Sequence, residues 1–407
     1  MTPTQAAGGS GRSAGSTQAM LLIVANVLPT MGIVSLIPVL PQLFAQFHAV
    51  PHAGFLVPAI ITAPSICIAL LAPVAGTIAD RIGRRKLFLA ALFVYALFGC
   101  APLLLDDLHA ILATRVCLGI TEAIIYTCVN TLMGDYFKGA VRRRWLAWQN
   151  AIGSLIATGL IVVGGILGSM SWHGPFAMYA LAIPIFLAVF AFTWEPEPQP
   201  EVVDSGAQMD LDAPFPVAAM ALVYAVTFFG SIIFFIEPLQ LGLVMNAIGR
   251  GSPDVIGVVT AGTGFALPFG AYLLGQVKAL RVGYLLAVAL AFFAGGFWIL
   301  GHSATLTGVV VGGCLAQFAC GITFPLLITW CQSKLHFGVR ARGVGLWTSF
   351  FFIGQFASTT FVSLVTGWVG GISGVMVVFA IICLIAIPIS SIGQAITGKR
   401  VIAPAAS

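Results

Sequence analysis

Long apolar runs, separated by short polar loops, constrain this sequence more than any other feature. Residues 19–47 and 218–247 are almost wholly apolar, and only 8% of the chain is charged, against about 25% in soluble proteins. A helix needs about 20 apolar residues to cross the hydrocarbon core of a bilayer. Strands of a membrane barrel instead alternate apolar and polar residues. The continuous runs exclude a barrel and predict an all-α membrane protein.

Twelve runs are long enough to cross the bilayer as helices, and we number them as spans one to twelve. The predicted bounds are 20–46, 54–79, 86–105, 110–134, 145–169, 175–194, 217–246, 255–278, 283–301, 306–331, 342–369 and 372–396. The loops between them are short, so we expect no external domain.

The basic residues predict the orientation of the spans. If the N-terminus is cytoplasmic, sixteen of the eighteen Lys and Arg residues fall in cytoplasmic segments, while Arg250 is outside and Arg115 lies within a span. Basic residues concentrate on the cytoplasmic side of membrane proteins. We therefore expect a protein of the cell inner membrane with both termini in the cytoplasm. The net charge of +5 is explained by these topology signals, and it does not indicate a nucleic-acid partner.

One acidic, Pro-rich stretch divides the spans six and six. It covers 195–216, and its composition predicts a flexible cytoplasmic linker. We predict a disordered N-terminal tail at 1–18, one six-helix bundle at 19–194, a second at 217–396 and a C-terminal tail at 397–407.

The two halves repeat each other at an offset of about 200 residues, which indicates a duplication. Pro38 aligns with Pro238, and the tripeptide Gly-Ile-Thr at 119–121 recurs at 321–323. Two parallel halves with a site between them near the midplane are typical of secondary transporters. A membrane-embedded enzyme is the alternative at this point.

The loop between spans two and three carries a specific motif. Its sequence at 76–86 is Gly-Thr-Ile-Ala-Asp-Arg-Ile-Gly-Arg-Arg-Lys. It strongly resembles the G-x-x-x-D-R-x-G-R-R/K signature of the major facilitator superfamily, and the likeness in architecture covers the whole chain after the N-terminal tail. The resemblance implies two pseudo-symmetric six-helix bundles, as in the bacterial 12-helix drug/proton antiporter branch.

The same resemblance implies that this loop latches the outward-facing state. Asp80 would then face the N-terminal end of span eleven, whose dipole attracts an anion. Gly76 would let two helices approach closely, and Gly83 would permit the tight turn. Arg84 and Arg85 would pair with an acid at the end of span four. Plain positive-inside anchoring is the alternative. The predicted latch residues are Gly76, Asp80, Arg81, Gly83, Arg84 and Asp135.

Span four contains two charged residues, Arg115 and Glu122. Residues 115–119 resemble the intramembrane R-x-x-x-G pattern of the family, which implies a coupling role for Arg115. A charge within a span costs at least ~2.5 kcal/mol and usually marks function. Glu122 lies two turns further along the same face, and a buried carboxylate can bind and release a proton near neutral pH. A permanent ion pair, or Arg115 reaching the nearby outer interface, is the alternative.

Glu237 is the other acid within a span. It lies in the outer part of span seven beside Pro238, which removes a backbone hydrogen bond and favours a kink. This arrangement suits a gated site for a cation or a proton, and a water-exposed acid near the outer surface is the alternative. The predicted proton-coupling residues are Glu122, Arg115 and Glu237.

Several polar and aromatic side chains within the spans are candidates for binding the solute. They are Asn26, Tyr126, Asn130, Gln149, Phe234, Gln240, Gln317 and Gln355. Tyr126 and Asn130 share a helix face with Glu122. Because most other side chains in the spans are apolar or aromatic, the composition favours hydrophobic or amphipathic solutes.

Span five bears on the direction of transport. The antiporter branch of the family carries a Gly-Pro followed by a Gly-Gly in this span. The Gly-Gly is present at 164–165, but Leu160 and Ile161 stand where the Gly-Pro would fall. This departure weakens the assignment as an exporter.

The sequence has no nucleotide-binding loop, so ATP is not the expected energy source. It also lacks catalytic and metal-ligand motifs, which argues against an enzyme. We predict a proton-driven secondary transporter, without cofactor or metal, that exports small amphipathic compounds and functions as a monomer. An uptake symporter for an organic anion is the first alternative, and a non-transporting receptor or enzyme is the second.

Overall fold

The computed structural model of the chain describes residues 14–196, 215–276 and 282–397. Twelve helices within these ranges are long and apolar enough to cross a membrane, which confirms the predicted all-α architecture. Most of the predicted N-terminal tail, linker and C-terminal tail lie outside the described residues. The first helix begins at Ser16, inside the stretch predicted as a tail.

The helices of the first half follow the predicted order. Span one comprises Ser16–Asn26, Leu28–Val34, a 3-10 turn at Ile37–Val39 and Leu40–Gln46; span two is Ala53–Ile82, span three Arg84–Cys100 with a 3-10 turn at Ala101–Leu104, span four Leu108–Tyr136, span five Gly139–Met170, and span six Gly174–Leu181 followed by Ala182–Phe192.

The helices of the second half match them in number. Span seven is Val217–Ala247, span eight Pro253–Gly264 with Ala266–Gln276, span nine Val282–His302, span ten Leu306–Ser333, span eleven Phe337–Val369 and span twelve Ile372–Thr397.

Span one differs from the single helix that the sequence predicts. Its helical segments are separated near Val27 and again after Val34. Pro29, Pro38 and Pro41 each lie in the first positions of a new segment. Proline suits the first turn of a helix and disrupts the interior, so these prolines divide the apolar run into short pieces.

The internal repeat is visible in the helix packing. A Cβ added to Gly119 in span four would lie 2.6 Å from Pro64 Cα in span two. A Cβ added to Gly321 in span ten would meet Leu267 of span eight, 2.9 Å from its carbonyl carbon. The two glycines of the repeated tripeptide therefore make equivalent close contacts, span four on span two and span ten on span eight.

We refer to the two ends of the helix bundle by a residue in a loop at each end, Gly83 and Asp107. Near the Asp107 end, a Cβ added to Gly165 of span five would lie 2.5 Å from Pro253 O and 3.2 Å from Gly257 Cα of span eight. Spans two and eleven also meet there, because Ser363 Oγ donates to the Gly54 carbonyl at 2.6 Å. The two halves are thus closely packed at the Asp107 end.

Candidate functional site

Glu122 is fully buried in span four. Neither carboxylate oxygen has a hydrogen-bond partner among the described residues. Oε1 lies so close to Gly32 of span one that a Cβ at that position would overlap it. A buried charge without a partner is very costly, so this environment suits a carboxyl group that carries a proton.

Arg115 is also fully buried, and its guanidinium contacts backbone carbonyls and aromatic rings, while Nε and Nη1 have no hydrogen-bond partner among the described residues. Its Nη2 donates to the carbonyl oxygens of Phe98 and Gly99 at 2.9 and 3.2 Å. The guanidinium carbon lies 5.1 Å from the ring centroid of Phe176 and 4.8 Å from that of Tyr179. No ion pair joins Arg115 to an acid in the described part of the chain. This geometry contradicts both alternatives for Arg115, the permanent ion pair with Glu122 and the side chain that reaches the outer interface.

Two tyrosine hydroxyls hold span one over Glu122. Tyr95 of span three donates to the Leu28 carbonyl at 2.7 Å, and Tyr179 of span six donates to the Gly32 carbonyl at 3.0 Å. The two rings pack with their centroids 5.5 Å apart. The segment 28–32 of span one therefore covers the carboxyl group and is fixed by neighbouring spans.

Glu237 of span seven is fully buried. Gln317 Nε2 of span ten donates to its Oε2 at 2.5 Å, and Thr263 Oγ1 of span eight donates to its Oε1 at 3.4 Å. The alternative of a water-exposed acid near the outer surface is therefore wrong. Gln317, a predicted solute-binding residue, is thus hydrogen-bonded to the carboxyl group of Glu237.

An aromatic cluster lies about one helical turn before Glu237 in span seven. Phe234 packs against Phe235 and Phe351 with ring centroids 4.9 and 5.5 Å apart. Phe351 also stacks on Trp347 at 5.3 Å. The predicted residue Phe234 thus belongs to an aromatic layer to which spans seven, ten and eleven contribute, with Phe324 from span ten.

Three of the predicted solute-binding residues form one hydrogen-bonded chain, at a cavity between spans one and five. The cavity measures about 230 Å³ and includes Asn26 and Gln149 in its lining. Gln149 Nε2 donates to Asn130 Oδ1 at 3.4 Å, and Asn130 Nδ2 donates to the Tyr126 carbonyl at 2.7 Å. Tyr126 therefore contributes its backbone to this arrangement.

Gln240 and Gln355 do not line that cavity. Each is only 1% exposed. Both amide atoms of Gln240 and the Oε1 of Gln355 lack a partner among the described residues. Their predicted contact with solute would require a movement of the surrounding helices.

Arg84 is the centre of the predicted latch. Its guanidinium forms an ion pair with Asp135 and a second one, of 2.9 Å, with Asp80. The pairing of Arg84 with an acid at the end of span four is as predicted. Gly83 has φ of +106°, a conformation that favours glycine.

Three details of the latch differ from the prediction. The Asp80 carboxylate does not face span eleven but binds Arg84 of its own half, and the Asp80 side chain is 62% exposed. Arg85 bonds to Phe190 O at 2.8 Å and to Thr193 Oγ1, instead of to Asp135. A Cβ added to Gly76 would lie 3.7 Å from the nearest side-chain atom, an ordinary contact. Close approach of spans two and four depends instead on Gly119.

Arg81 lines a cavity of about 760 Å³ at the Gly83 end together with Asp80 and Arg84 of the same loop. Glu195 also lines it, and its carboxylate accepts hydrogen bonds from the backbone N–H groups of Arg84 and Arg85 at 2.6 and 3.0 Å. It therefore caps the start of span three.

Sequence reasoning missed Gly32, Tyr95, Tyr179, Thr263 and the capping role of Glu195. Tyrosine and glycine are common within apolar helices, so their types carry no signal. The position of Glu195 directly after span six was a usable signal, because the start of span three and the end of span six share one side of the membrane.

Within the described ranges, twelve spans in two related halves, with one buried carboxyl group in each half, define a multi-pass secondary transporter of the two-bundle type. The family profile described as Major Facilitator Superfamily matches residues 22–359. The chain belongs to this family, whose members are transporters and not enzymes.

Individual relatives are distant. Multidrug efflux protein YfmO of Bacillus subtilis (strain 168) is 24% identical over 298 residues, which are 71% of this chain and 72% of that protein. Tetracycline resistance protein, class H, of Pasteurella multocida is 29% identical over 175 residues. That match covers 41% of this chain and 42% of the relative, so the chain spans about two fifths of that relative's length.

Solved structures show the same fold. A bacterial homologue of the human lysosomal transporter Spinster, in an inward-facing and occupied conformation, superposes with a TM-score of 0.75 and 13% identity. The superposition covers 94% of this chain and 98% of the other. At this identity the likeness supports the fold alone.

Proposed function

We propose that the protein exports small amphipathic compounds in exchange for protons, as a monomer in the inner membrane with both termini in the cytoplasm. In this orientation the Gly83 end faces the cytoplasm and the Asp107 end faces outward. The basic residues of the loops at the Gly83 end support it, because such residues concentrate on the cytoplasmic side. The proposal includes the division of the chain predicted from the sequence, with two six-helix bundles at 19–194 and 217–396 joined by a cytoplasmic linker at 195–216.

One observation carries the coupling to protons. Glu122 and Glu237 are both fully buried, and neither forms an ion pair with a basic side chain in the described ranges. Leaving a carboxylate charged in such a place is costly, so the group gains a proton when buried and loses it when the site meets water. Rocking of the halves would supply that alternation.

The latch residues fit the same cycle. Arg84 holds Asp80 and Asp135 within the first half, and Asp80 remains largely exposed. When the halves close at the Gly83 end, the start of span eleven would approach Asp80 with the positive end of its helix dipole. The latch would then favour the outward-facing state.

Export is favoured over uptake of an organic anion by the position of Arg115. A symporter of that kind needs the guanidinium to meet a solute carboxylate. Here Arg115 is fully buried, with Nη2 on two backbone carbonyls and the aromatic rings of Phe176 and Tyr179 over the guanidinium. Distant relatives that bear the names of efflux and resistance proteins point the same way.

Transport into proteoliposomes under an imposed pH gradient tests the proposal, with ethidium and tetracycline as probes. The unmodified protein should accumulate a probe against its concentration gradient, and probe addition without a gradient should move protons in the opposite direction. Glu122→Gln or Glu237→Gln should abolish accumulation while downhill movement persists. Asp254→Asn, at an exposed acid of span eight, is the matched control.

Two outcomes would contradict the proposal. Full accumulation by both carboxyl variants would show that neither residue couples transport to protons. Proton movement in the same direction as the probe would identify a symporter.

A further inference from the structure

Two hydrogen-bond acceptors on residues that line the cavity between spans one and five have no donor among the described residues. They are Asn26 Oδ1 and Gln149 Oε1, both buried and unpartnered. Gln149 is only 8% exposed, and it is one of the residues that line the cavity. A buried polar atom without a partner is costly and calls for an explanation.

The identity of the free Gln149 atom follows from a chain of hydrogen bonds. The Tyr126 carbonyl can only accept, so the Asn130 atom at 2.7 Å from it must be the amide nitrogen. Asn130 therefore offers its oxygen to Gln149, at 3.4 Å. Gln149 must use its own nitrogen for that contact. Its oxygen is consequently the atom that remains available.

The surroundings of the cavity are polar but uncharged. The residues that line it are Asn26, Val27, Thr30, Gln149, Asn150, Gly153, Ser154 and Ala157. Thr30, Asn150 and Ser154 are exposed at the protein surface although they lie within spans. Polar side chains in a span usually face a water-filled cavity instead of lipid, so water and solute can enter this cavity and meet the residues that line it.

The size of the cavity limits what it can hold. Sites for drug-sized ligands measure roughly 300–1,000 Å³, and this one measures about 230 Å³. It therefore accommodates the polar head of an amphipathic molecule, with the apolar remainder outside it.

We propose that this cavity binds the polar head of the transported solute and selects neutral or cationic groups that donate N–H or O–H hydrogen bonds. The inference rests on the proposed transport function and adds the chemistry of the solute to it. A carboxylate head would bring further acceptors to Asn26 and Gln149, with no cationic side chain in the lining. Gln149 and Asn26 are the residues that determine this specificity.

Three probes that differ only in the head group test the selection. They are 4-phenylbutanamide, N,N-dimethyl-4-phenylbutanamide and 4-phenylbutyrate. Binding to the purified full chain is measured by calorimetry and by thermal shift. The primary amide should bind about tenfold more tightly than the other two, because one lost hydrogen bond to a buried group corresponds to about that factor. The dimethyl amide controls for partition into detergent, since it is also neutral.

Variants test whether the preference for the primary amide depends on the hydrogen-bonded side chains of Gln149 and Asn130. Gln149→Leu should reduce the affinity for the primary amide about tenfold, whereas Gln149→Glu, which keeps acceptor oxygens, should preserve it. Gln332→Leu, at an exposed glutamine of span ten, is the matched control. Asn130→Leu removes the acceptor that orients Gln149, so binding should persist while the preference over the dimethyl amide decreases.

The proposal is overturned if the carboxylate or the dimethyl amide binds as tightly as the primary amide, if no probe binds, or if Gln149→Leu binds the amide normally. Transport is measured separately in proteoliposomes. If the amide binds as expected but is not transported under a pH gradient, the proposal for the cavity is supported and the proposal of proton-driven transport is contradicted.

Discussion

The hydroxyl of Tyr179 in span six donates a hydrogen bond to the carbonyl oxygen of Gly32 in span one at 3.0 Å. Gly32 is also the residue that lies against the carboxyl group of Glu122. One hydrogen bond thus connects a peripheral span to the segment that covers a buried acid. Arg115 packs over the same tyrosine ring, 4.8 Å from its centroid.

Replacing Tyr179 by Phe should destabilise the protein by about 1 kcal/mol, the order measured for interhelical hydrogen bonds in membranes. The Gly32 carbonyl would lose its donor while the packing of the ring remained. Unfolding in mixed detergent micelles measures the change. Tyr272→Phe, at a tyrosine that is 68% exposed, should leave stability unchanged. Equal stability of both variants would show that the hydroxyl does not hold span one.

Substitution of Gly32 by Ala should impair coupling. The added methyl group would overlap Glu122 Oε1, so the carboxyl group or span one must shift. Overpacking of this kind costs about 1–3 kcal/mol, and each 1.4 kcal/mol changes an equilibrium constant about tenfold. We expect proton-driven accumulation to fall about tenfold or more, while amide binding at Gln149 is kept.

Gly159→Ala is the control for this variant, because a Cβ there meets nothing within 4 Å. Transport into proteoliposomes under a pH gradient is the measurement. Normal accumulation by Gly32→Ala would mean that the position of Glu122 under span one does not matter for coupling.

The sequence predicts some parts of this architecture well and others not at all. Continuous apolar runs determine the twelve spans, since the bilayer imposes both their length and their composition. The pairing of Arg84 with an acid at the end of span four was also predictable, because both residues lie at the same end of neighbouring helices. Charge and topology together restrict the available partners.

The contacts of the buried acids were not predictable in the same way. Glu122 meets Gly32, and Glu237 meets Gln317 and Thr263, through helix rotations that a pattern of apolar residues does not determine. Nearly all positions of these helices are apolar, so hydropathy does not distinguish the face toward another helix from the face toward lipid.

A methyl group at Gly257 should open the Asp107 end. The Cβ would lie 3.0 Å from Ile161 O and 3.2 Å from Gly165 Cα, so the backbones of spans five and eight would have to move apart by a few tenths of an ångström. If this raises the free energy of the conformation closed at the Asp107 end by about 1–3 kcal/mol, the equilibrium between the closed and open conformations shifts roughly tenfold. We expect Gly257→Ala to increase the population that is open at this end.

Spin labels at positions 170 and 368 report this opening, since the side chains there are 79% and 85% exposed and belong to different halves. Labels attached through an encoded keto side chain leave the native thiols in place. Gly262→Ala, in the same span with no atom within 4 Å of the added Cβ, should keep the original distance distribution. An unchanged distribution for Gly257→Ala would contradict the role of this contact in closure.

Glu195 should stabilise the start of span three through its charge. Its two oxygens accept from the backbone N–H groups of Arg84 and Arg85, where an anion also meets the positive end of the helix dipole. Glu195→Gln replaces one acceptor oxygen by a donor and removes the charge, so it should cost about 1 kcal/mol. The exposed Asp254, in the first turn of span eight, makes no such paired contact, and Asp254→Asn should cost less.

Thermal unfolding at low and high salt separates the effect of the charge from that of the hydrogen bonds, because salt screens the charge but does not weaken the hydrogen bonds. If Glu195→Gln is no less stable than Asp254→Asn at low salt, the carboxylate does not cap span three, and the loop between spans two and three must be held by the ion pairs of Arg84 instead.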